Sequence, residues 1–350
     1  MQALHKRIQR LDREAWLEER QRDHTIGGSD IAAILGTAPW RGPWDVWASK
    51  VCGHNEALTD ERRAMFRRGH RWESMIIAEY EEQADDGREV EAATRGELFA
   101  RHPVEAWAAA SPDGLVTNPS RGDYQYQGGI ECKTARDSRE WGETGQVINC
   151  IDDGADRIIP RYYLTQTIWY LEATDLPWWD VAVAIPRPHD FPEHRVYRVM
   201  ADRPTQERLL NFIGEWREKH LIGGAEPVPD ATTGCRRQLI RQFRGSVEKR
   251  LRAADDLETE LAYSLASMRQ QQAALKLQIT HAENRLAWRI KQAYGLQVAN
   301  GARVLWTPQK GRDSVDMAKL REHFPEAAEA CIKTGEPTRA FRLYGFGGDN

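Results

Sequence analysis

Two periods of apolar side chains alternate along this chain. Over residues 64–84, Met65, Trp72, Met75, Ile76 and Tyr80 recur at helical spacing. A second helix is predicted over 160–174, with Tyr163, Gln166 and Tyr170 three and four positions apart on one face. Around it, short apolar runs at 105–111, 114–117, 128–134 and 179–186 have the length and alternation of strands, so 88–200 reads as a sheet with a covering helix. Residues 1–60 read as helical, with Gly27, Gly28 and Ser29 before an apolar first turn at Asp30–Leu35 and Ser29 as the N-cap.

The pattern changes past Pro227, Pro229 and Gly234, which mark a linker. From Arg236 to Tyr294 a narrow apolar stripe follows three/four spacing, through Leu251, Leu257, Leu261, Leu265, Met268, Leu275, Ile279, Leu286 and Ile290. As one helix it would reach about 70 Å, so it either packs on a copy of itself or folds back as a hairpin. Strand-like patterns return at 302–306 and 339–344. These breaks divide the chain into a core at 1–227, a helical arm at 228–300 and a strand-containing segment at 301–350 that closes on the core.

Chemistry concentrates in two of the strand-like runs. Ser111-Pro112-Asp113-Gly114 and Gly129-Ile130-Glu131-Cys132-Lys133 carry two carboxylates and one ammonium. After a turn-like lead at 126–129, alternation puts Glu131 and Lys133 on one face, about 6–7 Å apart along the strand. Ile130 and Cys132 face the other way. Carboxylates hold hard divalent cations, such cations turn bound water into a nucleophile, and a lysine orients or deprotonates that water or stabilises developing charge. The plainer reading is a surface ion pair between Glu131 and Lys133, with Asp113 closing a turn.

The motifs around this triplet resemble the lambda exonuclease and YqaJ-type viral recombinase family. They run from Arg22 through Ile26-Gly27-Gly28-Ser29-Asp30 to Pro43-Trp44-Asp45-Val46-Trp47, then Gly69-His70-Arg71-Trp72-Glu73, the Asp113 and Glu131 motifs, and Tyr162-Tyr163-Leu164-Thr165-Gln166. Order and spacing agree with that family over roughly residues 16–220.

The resemblance implies an α/β fold: a PD-(D/E)XK nuclease-like mixed central sheet flanked by helices, here with a long, coiled-coil-like C-terminal arm. It implies a metal-dependent 5′→3′ exonuclease on double-stranded DNA that leaves 3′ single-stranded overhangs in phage-type recombination. Mg²⁺ or Mn²⁺ would be held by Asp113 and Glu131, with the Cys132 carbonyl and Glu73 completing the ligands. Lys133 would handle the water, Gln166 would border the site, and Arg22 with Ser29 would hold the 5′-phosphate. A ring-forming homo-oligomer and a single-strand annealing partner are also implied. An endonuclease on the same fold, or a DNA-binding protein with a vestigial site, remain as alternatives.

Composition limits the field further. The chain has 350 residues, 41% hydrophobic and 29% charged, with 13 tryptophans expected to sit mostly in the core. No apolar run approaches a membrane span and the N-terminus is charged, so a cytoplasmic protein is expected; the family resemblance further implies a phage- or prophage-encoded protein in a bacterial host. Five scattered cysteines predict neither a disulfide framework nor a zinc or iron–sulfur site. A net charge of −4 predicts local basic patches rather than a long basic groove. Residues 61–71, with five arginines against one glutamate, lead into Glu73 and are expected to face DNA; the basic run at 236–252 is left unassigned.

Overall fold

Alternation along a single central strand sorts this protein into two packed faces. The computed structural model describes residues 8–53, 60–84, 86–93, 97–118, 123–149, 154–187, 190–243, 251–311, 314–332 and 342–344. The chain divides into two units, residues 1–241 and 242–350.

The first unit opens with strand β1 (Ile8–Leu11), helix α1 (Arg13–Gln21), strand β2 (Ile26–Gly27), and helices α2 (Gly28–Ile34), α3 (Pro43–Val51) and α4 (Asp60–Gln83). Strands β3 (Glu89–Ala92), β4 (Glu97–Arg101), β5 (Ala108–Ala110), β6 (Gly114–Asn118), β7 (Asp123–Thr134) and β8 (Val147–Ile148) follow. Helix α5 (Arg161–Thr174), strands β9 (Trp178–Ile185) and β10 (Glu193–Met200), and helices α6 (Arg203–Arg217) and α7 (Thr233–Gln242) complete it. The main sheet has the order β3–β6–β7–β9–β10–β8, and a smaller sheet has the order β1–β4–β5–β2. The main sheet is mixed, with β7 antiparallel to β6 and parallel to β9. A right-handed helical crossover is the usual way to join such a parallel pair, and here the connection contains α5.

On one face of the sheet, Trp179, Val181, Val183 and Leu115 pack with Leu164, Ile168 and Leu171 of α5. On the other, Ile130, Cys132, Ala182 and Ala184 pack with Ile76, Ile77 and Tyr80 of α4. The period of two therefore leaves Glu131 and Lys133 on the α5 side, as expected. Gly129 lets the neighbouring strand lie close: a Cβ there would come within 2.5 Å of the Trp179 ring. The tryptophans expected in the core include Trp44, Trp169 and Trp179, each at most 2% exposed.

A buried ionic cluster fastens α4 to the sheet. Asp180, 1% exposed, accepts from Arg198 Nε at 2.8 Å, Arg198 Nη2 at 2.7 Å and Tyr80 Oη at 2.7 Å. Arg88 donates to the same Tyr80 oxygen at 2.9 Å. One carboxylate thus joins β9, β10 and α4, the helix that carries Glu73.

Several expectations need correction. Residues 1–60 are not wholly helical, because β1 and β2 join β4 and β5 through pairing that local pattern does not report. The strand expected over 105–111 shrinks to β5, and 126–129 is strand rather than turn. Strands β3, β4, β8 and β10 and helix α6 escaped notice: β3, β10 and α6 are charge-rich and partly exposed, and β4 and β8 are too short to show a clean apolar alternation.

The second unit contains helix α8 (Asp256–Ile290), the hairpin of β11 (Gly295–Gln297) and β12 (Arg303–Leu305), and short helices α9 (Met317–His323) and α10 (Pro325–Cys331). Residues 236–294 are not one continuous helix: the span is divided between α7 and α8, with 244–250 outside the described residues. α7 ends at Gln242, and α8 starts afresh where Asp255 caps Glu258 N–H at 2.7 Å and Glu258 returns the bond to Asp255 N–H. Its 35 residues span about 50 Å. β12 pairs with β11; of 339–344, residues 339–341 lie outside the described residues and 342–344 form no strand. Among the described residues no helix is long and apolar enough to cross a membrane.

Breaking the buried cluster should loosen α4. Asp180→Asn is expected to lower the unfolding free energy by about 3 kcal/mol, since it strands buried cationic partners. Tyr80→Phe should lose only about 1 kcal/mol, the worth of one hydrogen bond. Urea titrations of both variants check this, and an Asp180→Asn midpoint equal to wild type would contradict it.

Candidate active site

The site is built where three elements meet: the turn before β6, the middle of β7, and the sheet-facing side of α5. Asp113 stands in the turn, and its Oδ2 accepts the Cys132 backbone N–H at 2.7 Å. Two residues held by different strands are thereby locked side by side. Glu131 projects toward α5, where its Oε1 accepts from Gln166 Nε2 at 2.7 Å and from Lys133 Nζ. Gln166 Nε2 also donates to Tyr170 Oη at 2.8 Å, and Tyr170 Oη donates to the Ser111 carbonyl at 3.2 Å. The expected helical stripe of Tyr163, Gln166 and Tyr170 is thus turned onto the carboxylates. Tyr163 lies under the ammonium, with its ring centroid 4.8 Å from Lys133 Nζ.

Electrostatics mark the group as unusual. Burial and the adjacent Glu131 raise the Asp113 carboxyl well above its ordinary range, Glu73 adds to the rise, and Lys133 opposes it. Glu131 is raised by burial, against the pull of Lys133. Burial alone would lower Lys133, but the Glu131 and Asp113 carboxylates outweigh it and push its value up. Glu131 Oε2 is buried without a hydrogen-bond partner among the described residues. Two largely buried carboxylates, one with an unbonded oxygen, resist ionising together unless a cation joins them.

These groups floor a cleft of about 950 Å³, with Glu73, Asp113, Glu131, Gln166 and Tyr170 in its lining. Arg13, Arg20, Arg63 and Arg67 line it as well. The basic stretch before Glu73 therefore does turn two arginines toward the site. Of the second basic run, Arg236, Arg237 and Arg241 fall in α7, and 244–250 lie outside the described residues.

Two expected residues are placed differently. Ser29 is not the N-cap of α2: Gly27 is, and its N–H donates to the Asp30 carboxylate at 3.2 Å. The Ser29 side chain stays at the cleft and accepts from Arg20 Nη2 at 3.1 Å. Gly28 permits this, since a Cβ there would come within 2.3 Å of the Tyr170 ring. Arg22 does not line the cleft; it lies in the turn after α1, 58% exposed, and pairs with Glu19 at 2.7 Å. Cys132 contributes its backbone, while its thiol packs on the α4 side and is pushed up by burial.

Sequence reading overlooked Arg13, Trp16 and Arg20. Their spacing of three and four puts them on one face of α1, which was the available signal. Trp16 donates to Ser111 Oγ at 3.0 Å, and the Arg13 and Arg20 guanidinium carbons lie 4.3 and 4.5 Å from its ring centroid. The indole thus aims both cations at the cleft.

The residues present suit a divalent metal. Among the described residues no three His, Cys, Asp or Glu side chains form a ready-made ligand group. Asp113 and Glu131 nonetheless supply two hard oxygen donors and an orphaned oxygen, which fits an ion that retains part of its water shell.

A family model described as the YqaJ-like viral recombinase domain matches residues 15–177. Over 341 residues the chain is 23% identical to the uncharacterized protein YqaJ of Bacillus subtilis strain 168, covering 92% of each. Among solved structures, an alkaline exonuclease of Laribacter hongkongensis aligns at 19% identity and a TM-score of 0.43, over 60% of this chain and 93% of that one. A phage-related exonuclease of Haemophilus somnus 129PT aligns at 12% identity and a TM-score of 0.40, over 59% and 100%. The matched span holds Arg20, Ser29, Glu73, Asp113, Glu131, Lys133 and Gln166 together, and over residues 15–177 this chain is similar to the YqaJ-like viral recombinase domain.

Proposed function

We propose that this protein is a divalent-metal-dependent deoxyribonuclease that shortens duplex DNA from 5′ ends. One observation carries the reading: the buried Glu131 and the half-buried Asp113 stand together beside Lys133 in an arginine-lined cleft. An ordinary surface ion pair would neither bury Glu131 nor leave one of its oxygens without a partner among the described residues. Cations around a carboxylate floor also suit a polyanion whose phosphate must approach acidic residues.

Asp113 and Glu131 would hold the metal, joined by water or backbone oxygen, including the Cys132 carbonyl. When bound, such an ion polarises the phosphate and lowers the pKa of a coordinated water. Lys133, fixed between Glu131 and Tyr163, would position the attacking water and offset negative charge at the reacting phosphate. Gln166 would hold Glu131 in its rotamer while Tyr170 holds Gln166. Glu73 would bind water at the edge of the site.

Arg20 and Ser29 form the best candidate for a terminal-phosphate pocket, with Arg13 beside them. A 5′-phosphate carries more negative charge than an internal diester, so a guanidinium and a hydroxyl prefer it. Arg20, not Arg22, fills this role in the proposal, because Arg20 is the arginine that meets Ser29. The strand left with a free 3′ end would then suit a single-strand annealing partner.

The deciding experiment incubates the pure protein with linear and with closed circular duplex DNA in Mg²⁺. Loss of linear DNA alone supports the proposal; nicking of circles indicates an endonuclease, and no cleavage of either indicates a DNA-binding protein. Asp113→Asn and Glu131→Gln should each abolish cleavage; the thermal midpoint should stay at or above that of wild type for Asp113→Asn, which removes a carboxylate disfavoured by burial and by Glu131, and should fall for Glu131→Gln, which takes the partner from Lys133. Lys133→Ala should slow cleavage by roughly 10²–10⁴, and Lys133→Arg should not restore it. Single-turnover rates measure both effects, and a near-normal rate for Lys133→Ala would remove the lysine from the mechanism.

The end preference has its own check. Matched duplexes differing only in a 5′-phosphate or 5′-hydroxyl should be degraded at different rates, the phosphorylated one faster. Arg20→Ala should erase most of that difference, and Arg22→Ala should leave it in place. The reverse ranking of the two variants would return the pocket to Arg22.

A further inference from the structure

Helix α8 presents an apolar seam to solvent along most of its length. Leu261, Leu265, Met268, Gln272, Leu275, Ile279, Ala282 and Leu286 are separated alternately by four and three residues without a break. That is a strict heptad seam, narrower than the stripe by which a helix packs on a globular core. Leu261 is 60% exposed, Met268 55%, Leu275 56% and Ile279 50%. The buried residues of the helix, Ala266 and Ile290, lie beside this seam, and Leu265 within it is half-buried. Packing among the described residues therefore leaves most of the seam's knobs exposed.

Charge along the helix is polarised. Asp255, Asp256, Glu258 and Glu260 cluster at its start, offset by Arg252, whereas Arg285, Arg289 and Lys291 cluster at its end, offset by Glu283. Two such helices side by side in the same direction would place like charges together at both ends. Reversed, each acidic start lies against a basic end, and the helix dipoles also oppose. The seam is itself self-complementary when reversed about its midpoint: Leu261 meets Leu286, Leu265 meets Ala282, Met268 meets Ile279, and Gln272 meets Leu275. Asp256 then falls level with Lys291, and Glu258 with Arg289.

We propose that α8 is a dimerisation element that binds the α8 of a second copy of this chain as an antiparallel two-stranded coiled coil. The occupant of the seam is the same seam on another protomer. Gln272, the one polar residue in it, sits near the two-fold axis, where a lone polar position favours one register over slipped ones. The association does not depend on the nuclease reading, since no residue of the cleft takes part.

The test uses the full chain. Light scattering coupled to size-exclusion chromatography, over a range of protein concentrations, should give twice the chain mass for wild type. Leu275→Ala with Ile279→Ala keeps helix propensity and should weaken association at least about tenfold. Retention of the helical circular-dichroism signal separates this loss from unfolding. Orientation is read by mixing a Leu261→Cys variant with a Leu286→Cys variant under mild oxidation, against a wild-type control for the native cysteines. A disulfide-linked pair that forms on mixing, and not from either variant alone, supports the antiparallel dimer. Wild type at single-chain mass at all concentrations would overturn the proposal. So would association indifferent to the seam substitutions, or cross-linking only between like positions.

Discussion

Placing two carboxylates side by side in a largely buried position is the constraint to which the rest of the core responds. Asp113 and Glu131 repel one another, and burial penalises both as anions. The fold answers with fixed donors: the Cys132 amide on Asp113, and Lys133 with Gln166 on Glu131. The three donors reach two of the four carboxylate oxygens, and Glu131 Oε2 is buried without a hydrogen-bond partner among the described residues. An incompletely satisfied buried polar group is costly in a purely structural setting. Its presence in the cleft is the feature on which the proposed metal site rests.

Support for that group comes from both faces of the sheet. On the α5 side, a hydrogen-bonded chain runs from Glu131 through Gln166 and Tyr170 to the Ser111 carbonyl, returning to the turn that carries Asp113. On the α4 side, Asp180 ties strand and helix through Tyr80 and Arg198. The first set holds the two carboxylates; the second holds the helix that delivers Arg63, Arg67 and Glu73 to the cleft. Trp16 does the same for Arg13 and Arg20 from a third direction. Aromatic planes and fixed acceptors restrict the side-chain freedom that long cations would otherwise retain, so less of it remains to be lost when an anion arrives.

The sequence by itself determined the parts of this arrangement that depend on short-range periodicity. A period of two put Glu131 and Lys133 on one face of β7 and Ile130 and Cys132 on the other. A period of 3.6 put Tyr163, Gln166 and Tyr170 on one side of α5, and the seam of α8 is legible for the same reason. Tertiary structure decided what relates residues far apart in the chain. The pairing of β1 with β4 and the bond from Cys132 N–H to Asp113 each depend on where a distant segment passes. Ser29 shows the difference at one residue: local pattern made it a helix cap, but the helix begins at Gly28 with Gly27 as its cap, and the Ser29 hydroxyl faces Arg20. Periodicity states which side of an element a residue occupies; only packing states what stands opposite.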